Sequence, residues 1–446
     1  MVAVFLALLS VATGGCGEAP ARRPNVLIIS LDTLRADDLA AYGYHRETAP
    51  SLTALAQQGV LYEQAYAPCS STTPSHATLF TGRMPGQHGA FNFRTVLPES
   101  EVTLSDVLGE AGWSTFAVAS SVRFHLGSGF PQGFDEYVLH DRLDKNERSE
   151  AVTSSALDLV DRALAAEDGQ PFFGFLHYFG PHEPYAPPEP FRSTWHPGLP
   201  SPTPEASSRY IQRHSQPGQD VPPDVLEYLR ALYDAEILYL DTQLQRLFDG
   251  LSERGLDRDT LVVVTSDHGE GFKENGRLSH SFVLNEELLM VPLIFRWPGV
   301  LPADERRPGP VGLIDVAPTI LELLRLPIPD GVYGVSLVDE LHGEIPRRRP
   351  PVLAQGGDLW AVTADLPSGR FKLMGRLNGE RTLHRLDGSE WGGPDVIDSY
   401  PREHELLEAL AASIGAFGQT SEDGDVEISP EMRQRIAELG YLHEVR

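Results

Sequence analysis

The run Leu261-Val262-Val263-Val264-Thr265-Ser266, released into Asp267-His268-Gly269, constrains the fold of this chain more than any other feature. A continuous β-branched apolar stretch of this length is the pattern of a parallel strand buried on both faces. Open α/β sheets place ligands beyond the carboxyl ends of such strands. The same construction stands near the N-terminus, where Asn25-Val26-Leu27-Ile28-Ile29-Ser30-Leu31 runs into Asp32. Each aspartate taken alone reads best as a cap for the turn or helix that follows. Together, with more than two hundred residues between them, they predict one metal-type site assembled across a large sheet.

Further apolar runs, Leu61 to Ala67, Ser114 to Ala119, Pro171 to Tyr178 and Val291 to Phe295, alternate with helical patterns near 51–58, 102–111, 149–166 and 224–250. This alternation predicts an α/β fold: a large mixed, mostly parallel sheet sandwiched by helices. With 446 residues, 41% of them hydrophobic, the chain can bury one large domain and carry an appendage. Arg347-Arg348-Arg349-Pro350-Pro351 marks a break. Beyond it, strand-like runs (Leu359 to Ala364, Arg370 to Met374) and a terminal helical region predict a small C-terminal α+β subdomain. The expected division is a leader and linker over 1–23, a catalytic domain over 24–345 and the subdomain over 346–446. The Pro- and Ser-rich stretch 186–222 reads as a surface excursion near the site.

Acidic residues outnumber basic ones 63 to 36, a net charge of −27. Such a surface disfavours nucleic acid and anionic membranes as partners, so any anionic substrate needs a local positive centre such as a metal. Val2 to Val11 is apolar, is followed by small residues and Cys16, and is too short to span a membrane. It reads as an export signal. Thr13-Gly14-Gly15-Cys16 resembles a bacterial lipoprotein cleavage site, at which Cys16 would be acylated. The expected address is periplasmic or cell-envelope, with membrane contact only through that lipid anchor. The other cysteine is Cys69, so no disulfide framework is expected.

Ala65-Tyr66-Ala67-Pro68 leads into Cys69-Ser70-Ser71-Thr72-Thr73-Pro74-Ser75-His76-Ala77-Thr78-Leu79-Phe80-Thr81-Gly82-Arg83. This block strongly resembles the signature of the sulfatases within the alkaline phosphatase superfamily, where a nucleophile sits two residues before Pro-Ser and a helix leads to Thr-Gly-Arg. Leu31-Asp32-Thr33-Leu34-Arg35-Ala36-Asp37 with Tyr42-Gly43-Tyr44 resembles that family's first metal-binding segment. Tyr178-Phe179-Gly180-Pro181-His182-Glu183-Pro184-Tyr185 is similar to its substrate-side histidine segment. Ser266-Asp267-His268-Gly269-Glu270 with His280 resembles the second metal segment, and Ile314-Asp315-Val316-Ala317-Pro318-Thr319 a late structural signature. Five such blocks in order imply an alkaline phosphatase-like fold and an ester hydrolase.

The resemblance implies Asp32, Asp267 and His268 as ligands of one divalent metal, with the Thr72 oxygen as a further ligand. Adding an imidazole while losing an oxygen ligand at Thr33 favours zinc or manganese, calcium and magnesium remaining open. Thr72 is the expected nucleophile, just before a helix expected to begin at Pro74 or Ser75, where the helix field favours an alkoxide. Sulfatases carry Cys or Ser there, oxidised to formylglycine, within Cys-x-Pro-x-Arg. Thr72 cannot become formylglycine, and the Arg position is His76, counted here with the catalytic set. His182 and His280 are expected on the leaving-group side. Arg35 and Arg83 read as structural, His88 as support for the motif helix.

A Thr nucleophile resembles the nucleotide pyrophosphatase and phosphodiesterase branch and implies a phosphodiester, phosphonate or phosphate ester, with a small-molecule, glycan or lipid head-group alcohol. Alternatives are a sulfuric ester hydrolase using unmodified Thr, a non-catalytic binding lipoprotein with a degenerate site, and a transferase of phospho-head groups.

Overall fold

The strand Asn25–Leu31 (β1) is buried at every position. Val26 and Ile28 join one apolar layer, while Leu27, Ile29 and Leu31 join the other, so the strand has no polar face. The computed structural model describes residues 23–413, apart from 92–94, 167–168, 196–207, 216–217, 281–282, 345, 347 and 387–392. The expected leader with Cys16, part of the 186–222 excursion, and the chain beyond 413 therefore lie outside the described residues.

After β1 come Val60–Tyr62 (β2), Ala65–Tyr66 (β3), Ser114–Ala119 (β4), Glu136–Leu139 (β5), Phe172–Tyr178 (β6) and Thr260–Thr265 (β7). Gly271–Phe272 (β8), Leu278–Ser279 (β9), Met290–Val291 (β10), Leu293–Arg296 (β11), Glu305–Arg307 (β12) and Val311–Gly312 (β13) follow. The main sheet has the order β12-β2-β11-β7-β1-β6-β4-β5. From β7 to β5 all neighbours run parallel, and Ser30 of β1 is level with Thr265 on one side and His177 on the other. The carboxyl ends of β7, β1 and β6 thus open on one place.

On one face of the sheet lies the helix Pro223–Glu253, whose Leu229, Leu232, Ile237, Leu240, Leu244 and Leu247 are buried at helical spacing. It packs on the helix Lys145–Ala165. The latter begins four residues before the apolar pattern because Glu147 accepts from the Asp144 N–H and closes the first turn. No helix among the described residues is long and apolar enough to cross a membrane.

Two expected strands are each divided. Leu61 to Ala67 gives β2 in the main sheet and β3 in a separate sheet of order β10-β3-β13. Val291 to Phe295 breaks at Pro292, which has no N–H for a ladder, so β10 pairs with β3 while β11 pairs with β7 and β2. Of the outer strands, β12 is Glu305-Arg306-Arg307 and has no apolar run, while β5 follows Glu136 with only the short run Tyr137-Val138-Leu139. Beyond the catalytic layers, Val352–Gly356 (β14), Leu359–Leu366 (β15), Gly369–Arg376 (β16) and Arg381–Arg385 (β17) form an antiparallel sheet. The helix Pro401–Ser413 covers it through Leu407 and Leu410. Lys372 ties this sheet to the larger domain through the buried Glu286, which also accepts from Tyr66.

The centre of the sheet is close-packed around a missing side chain. A Cβ on Gly174 of β6 would lie 2.6 Å from a Phe116 ring carbon on β4 and 2.9 Å from a Leu27 methyl on β1. Gly174→Val is expected to destabilise the fold by about 1–3 kcal/mol, seen as a lower urea midpoint at unchanged slope. Shrinking the neighbour, Phe116→Leu, should recover part of that loss in the double variant. Strictly additive losses would show that the two positions do not share this space.

Candidate functional site

Parallel pairing of β1 with β7 brings Asp32, Asp267 and His268 together, with ligand atoms all within 4.8 Å of one another and all three residues buried. Asp267 Oδ1 accepts the N–H groups of Thr33 (3.1 Å) and His268 (3.0 Å), which leaves Oδ2 without a partner. Neither oxygen of Asp32 has a hydrogen-bond partner among the described residues. His268 Nδ1 lies 3.0 Å from the Gly269 carbonyl, an acceptor only, so Nδ1 carries the proton and the bare lone pair is on Nε2. That nitrogen too is unpartnered, 3.4 Å from Asp267 Oδ2.

Burial pushes the Asp32 carboxyl well above the usual range, and neighbouring Asp267 pushes it further. Burial acts the same way on Asp267, but His268, His76, His177 and the Thr33 N–H outweigh it and hold that group at about 2. Four orphaned donor atoms of O,O,O,N chemistry, converging in a buried place with an excess of carboxylate, fit a divalent cation. The buried Thr33 hydroxyl beside them is also unpartnered. Thr33 itself sits at φ 63°, a strained setting for a β-branched residue, held by a hydrogen bond from the Tyr233 hydroxyl to its carbonyl.

Thr72 lies inside the helix Thr72–Thr81, at its first residue, where a helix starting at Pro74 or Ser75 was expected; Ser71, in extended conformation, is the N-cap. The helix starts early because the Ser75 N–H reaches back to the Ser71 carbonyl. The Thr72 side chain therefore stands at the positive end of the helix. Thr72 is 8% exposed, and its hydroxyl makes no hydrogen bond among the described residues. The first turn is pinned to the metal-type cluster, since Ser75 Oγ donates to the Asp267 carbonyl at 2.6 Å. His76 supports the same turn: Nδ1 donates to the Thr72 carbonyl (2.8 Å) and Nε2 accepts from Ser30 Oγ (2.8 Å). With both nitrogens engaged and its ring fully buried, His76 has a supporting place here and no free edge for a substrate.

His182 and His280 come together, ring centres 4.9 Å apart, and His280 lies 4.5 Å from His268. His182 Nδ1 donates to the Glu183 carbonyl at 2.6 Å, leaving Nε2 with a lone pair. Burial, then His280 nearby, lower its basicity well below the ordinary value. Burial would do the same to His280, but Glu270, 3.0 Å from its Nδ1, overrides this and raises it to about 9.

Several participants gave no motif signal. His177, level with Ser30 near the end of β6, has Nε2 3.4 Å from Asp32 Oδ2, and neither ring nitrogen has a partner. A lone histidine in an otherwise apolar strand was the available clue. Lys145 donates to the carbonyls of His182 and Pro184 and pairs with Glu236, fixing the His182 loop from a distant helix. Arg35 is buried against Asp37, Asp38 and Glu274, and Arg83 pairs with Glu101, as structural roles require. His88 holds Thr78 of the motif helix at 3.1 Å. Asp315 accepts from the Gly312 and Val335 N–H groups, a turn-setting role. Cys69 is fully buried and its thiol is pushed up to about 12 by that burial.

Removing metal from the purified protein by chelation is expected to lower its melting temperature, and adding zinc or manganese back to restore it. Asp267→Asn should weaken metal binding by at least ~10-fold in competition with a fluorescent chelator. Equal affinity in the variant would remove Asp267 from the ligand set.

The family model described as Sulfatase matches residues 24–326. The chain is 25% identical over 357 residues to the ulvan-active sulfatase of Formosa agariphila, an alignment covering 73% of this chain and 66% of that protein. It is 25% identical over 378 residues to the Delta 4,5-hexuronate-2-O-sulfatase of Bacteroides thetaiotaomicron, covering 77% of each. Among solved structures, the phosphonate monoester hydrolase of Agrobacterium radiobacter superposes with TM-score 0.73 at 20% identity, over 92% of this chain and 99% of that one. A protein in complex with its substrate D-glucosamine-2-N,6-O-disulfate superposes with TM-score 0.74 at 19% identity, over 91% and 100%. At these identities the structural likeness establishes the fold.

Proposed function

The chain belongs to the sulfatase family, a family of ester hydrolases, and on that premise we propose that it is an exported, metal-dependent hydrolase using Thr72 as its nucleophile. The substrate class that Thr72 favours is a phosphodiester, phosphonate or phosphate ester. One observation carries the reading: a hydroxyl without a hydrogen bond among the described residues, at a helix N-terminus and on a turn bonded directly to Asp267. Asp32, Asp267, His268 and the Thr72 oxygen would hold one divalent ion, zinc or manganese before calcium or magnesium. Bound there, such an ion supplies positive charge to the transferring group and to the Thr72 oxygen.

The chain's own groups account for two in-line displacements. In the first, Thr72 Oγ bonds to the central atom and its proton passes to water. The bond to the leaving oxygen breaks with its electron pair, and that oxygen takes a proton from His280, which Glu270 orients. In the second, water attacks while His182 Nε2 accepts its proton, Thr72 Oγ leaves with its electron pair and takes a proton back from water, and the proton on His182 passes to His280, ring centres 4.9 Å apart, which resets both histidines. The sum is ester plus water giving alcohol plus acid. The helix N-terminus faces the charge that gathers in both steps.

The sulfuric ester reading has its own support, because the ulvan-active and hexuronate relatives are sulfatases by name and align over most of this chain. Matched aryl esters bearing phosphate, phosphodiester, phosphonate and sulfate groups, offered to the metal-loaded protein, separate the two. Phospho-ester turnover is expected to exceed sulfate turnover, and Thr72→Ala to reduce it by ~10³-fold or more. Sulfate as the preferred ester, lost in the same variant, would reassign the substrate class and keep the nucleophile. Undiminished turnover by Thr72→Ala would overturn the mechanism.

A further inference from the structure

His177 is fully buried in β6, and neither of its ring nitrogens has a hydrogen-bond partner among the described residues. An imidazole left in that state costs the fold the desolvation of two polar atoms with nothing returned. Its surroundings show what the ring faces. Parallel pairing puts His177 beside Ser30, two residues before Asp32, and the Asp32 N–H donates to the carbonyl of Tyr178, the next residue of β6, at 2.9 Å. His177 Nε2 ends 3.4 Å from Asp32 Oδ2, a few tenths of an ångström beyond an N–H···O hydrogen bond.

The ring has little freedom to turn away. Phe124 packs on it with ring centres 4.5 Å apart, and His76 lies edge-on at 5.2 Å. The His177 carbonyl accepts from Ser120 Oγ at 2.8 Å, which fixes the backbone from the end of β4. The protonation pattern also sets this histidine apart. His268 and His182 each place Nδ1 on a carbonyl, which holds the proton there and leaves Nε2 as a lone pair. His177 has no acceptor at Nδ1 among the described residues. The carboxylate it faces lies on the Nε2 side, so the proton belongs on Nε2 and the ring is a donor.

Asp267 displays the arrangement that such a donor would complete at Asp32. Asp267 Oδ1 takes two backbone N–H groups, and Oδ2 is bare. With His177 Nε2–H on Oδ2, Asp32 would match it, one oxygen held by the protein and Oδ1 left for a cation.

We propose that His177 is a positioning residue for the cation site: its Nε2–H closes on Asp32 Oδ2 when an ion is bound and fixes which oxygen of Asp32 meets that ion. The proposal rests on the metal-dependent reading above and adds a residue to it.

The test reads metal affinity, not turnover. Zinc and manganese binding is measured by competition with a fluorescent chelator in the parent, His177→Phe and His177→Gln, with the melting temperature of each metal-free protein alongside. Phenylalanine keeps the ring's bulk and removes both nitrogens, while the glutamine amide returns an N–H. His177→Phe is expected to bind about tenfold more weakly. Its metal-free form should melt at the parent's temperature or above, because two unsatisfied polar atoms are gone. His177→Gln should recover part of the affinity. In an Asp32→Asn background, His177→Phe should cost at most about twofold, since it acts through that carboxylate. Full affinity in His177→Phe, or a loss that Asp32→Asn leaves undiminished, would overturn the proposal and leave the metal reading standing. So would a loss that His177→Gln does not recover and that comes with a lower metal-free melting temperature, the mark of a structural role alone. Two ions per chain in the parent and one in each variant would instead make His177 a ligand of a second ion, against the proposal. A parent that binds neither metal would sink the metal reading itself.

Discussion

Two carboxylates that repel each other, Asp32 and Asp267, are held in contact range because β1 and β7 pair in register and both end there. In a buried setting such a pair is costly, since each charge lacks water and sees the other through a low dielectric. The chain compensates only one of them. Asp267 receives two backbone N–H groups and three nearby histidines, while Asp32 receives no hydrogen bond at all. Arg35, the buried cation closest in sequence, is bound to Asp37, Asp38 and Glu274. The uncompensated charge of Asp32 is what organises the site, and a cation held by Asp32, Asp267 and His268 would balance it.

The surrounding structure holds that contact against its own repulsion. Thr33 is kept at positive φ by Tyr233, whose hydroxyl also accepts the Arg35 N–H, so one side chain fixes the turn immediately after Asp32. On the other strand, a Cβ on Gly269 would lie 2.1 Å from the Glu287 carbonyl, and the Gly269 N–H donates to Leu288. Only glycine permits that approach, which seats the Asp267-His268 turn against the segment following His280. Arg35 joins the two halves, donating to the Glu270 carbonyl while Glu270 holds His280. A turn from β1, a turn from β7 and the His280 loop thus behave as one unit.

How much of this could be read from the chain follows from what each element depends on. The central strands were legible because burial on both faces forces continuous apolar runs, and Ser114–Ala119 matches its run residue for residue. Asp32, Asp267 and His268 were legible because a strand's end fixes where its next residues point. The resemblance of the Thr72 block to the sulfatase signature marked out the segment proposed to bear the nucleophile, although the helix takes in Thr72 itself, which composition does not dictate. The partners that arrive through space were not legible. Lys145 reaches the His182 loop from the start of a helix, and Glu270 meets His280 only because the β8–β9 hairpin folds back. His177 is hidden inside an apolar strand, and its meaning depends on β6 lying beside β1.

The proposed role of Thr72 gives a reason for two histidines standing in opposite settings. Cys69, the thiol of the same segment, is fully buried, and that burial pushes it up to about 12. A formylglycine hydrate carries two oxygens on one carbon, and the second can expel the transferred group by elimination. Thr72 carries one oxygen on Cβ, so on the proposed mechanism a group transferred to it would be displaced by water. That second displacement needs a base where the first needed an acid. His182, with Nδ1 held by a carbonyl and a lone pair on Nε2, has the form of the base. His280, held by the Glu270 carboxylate, has the form of the acid. On the proposed mechanism, their separation by environment is what a single-oxygen nucleophile would require.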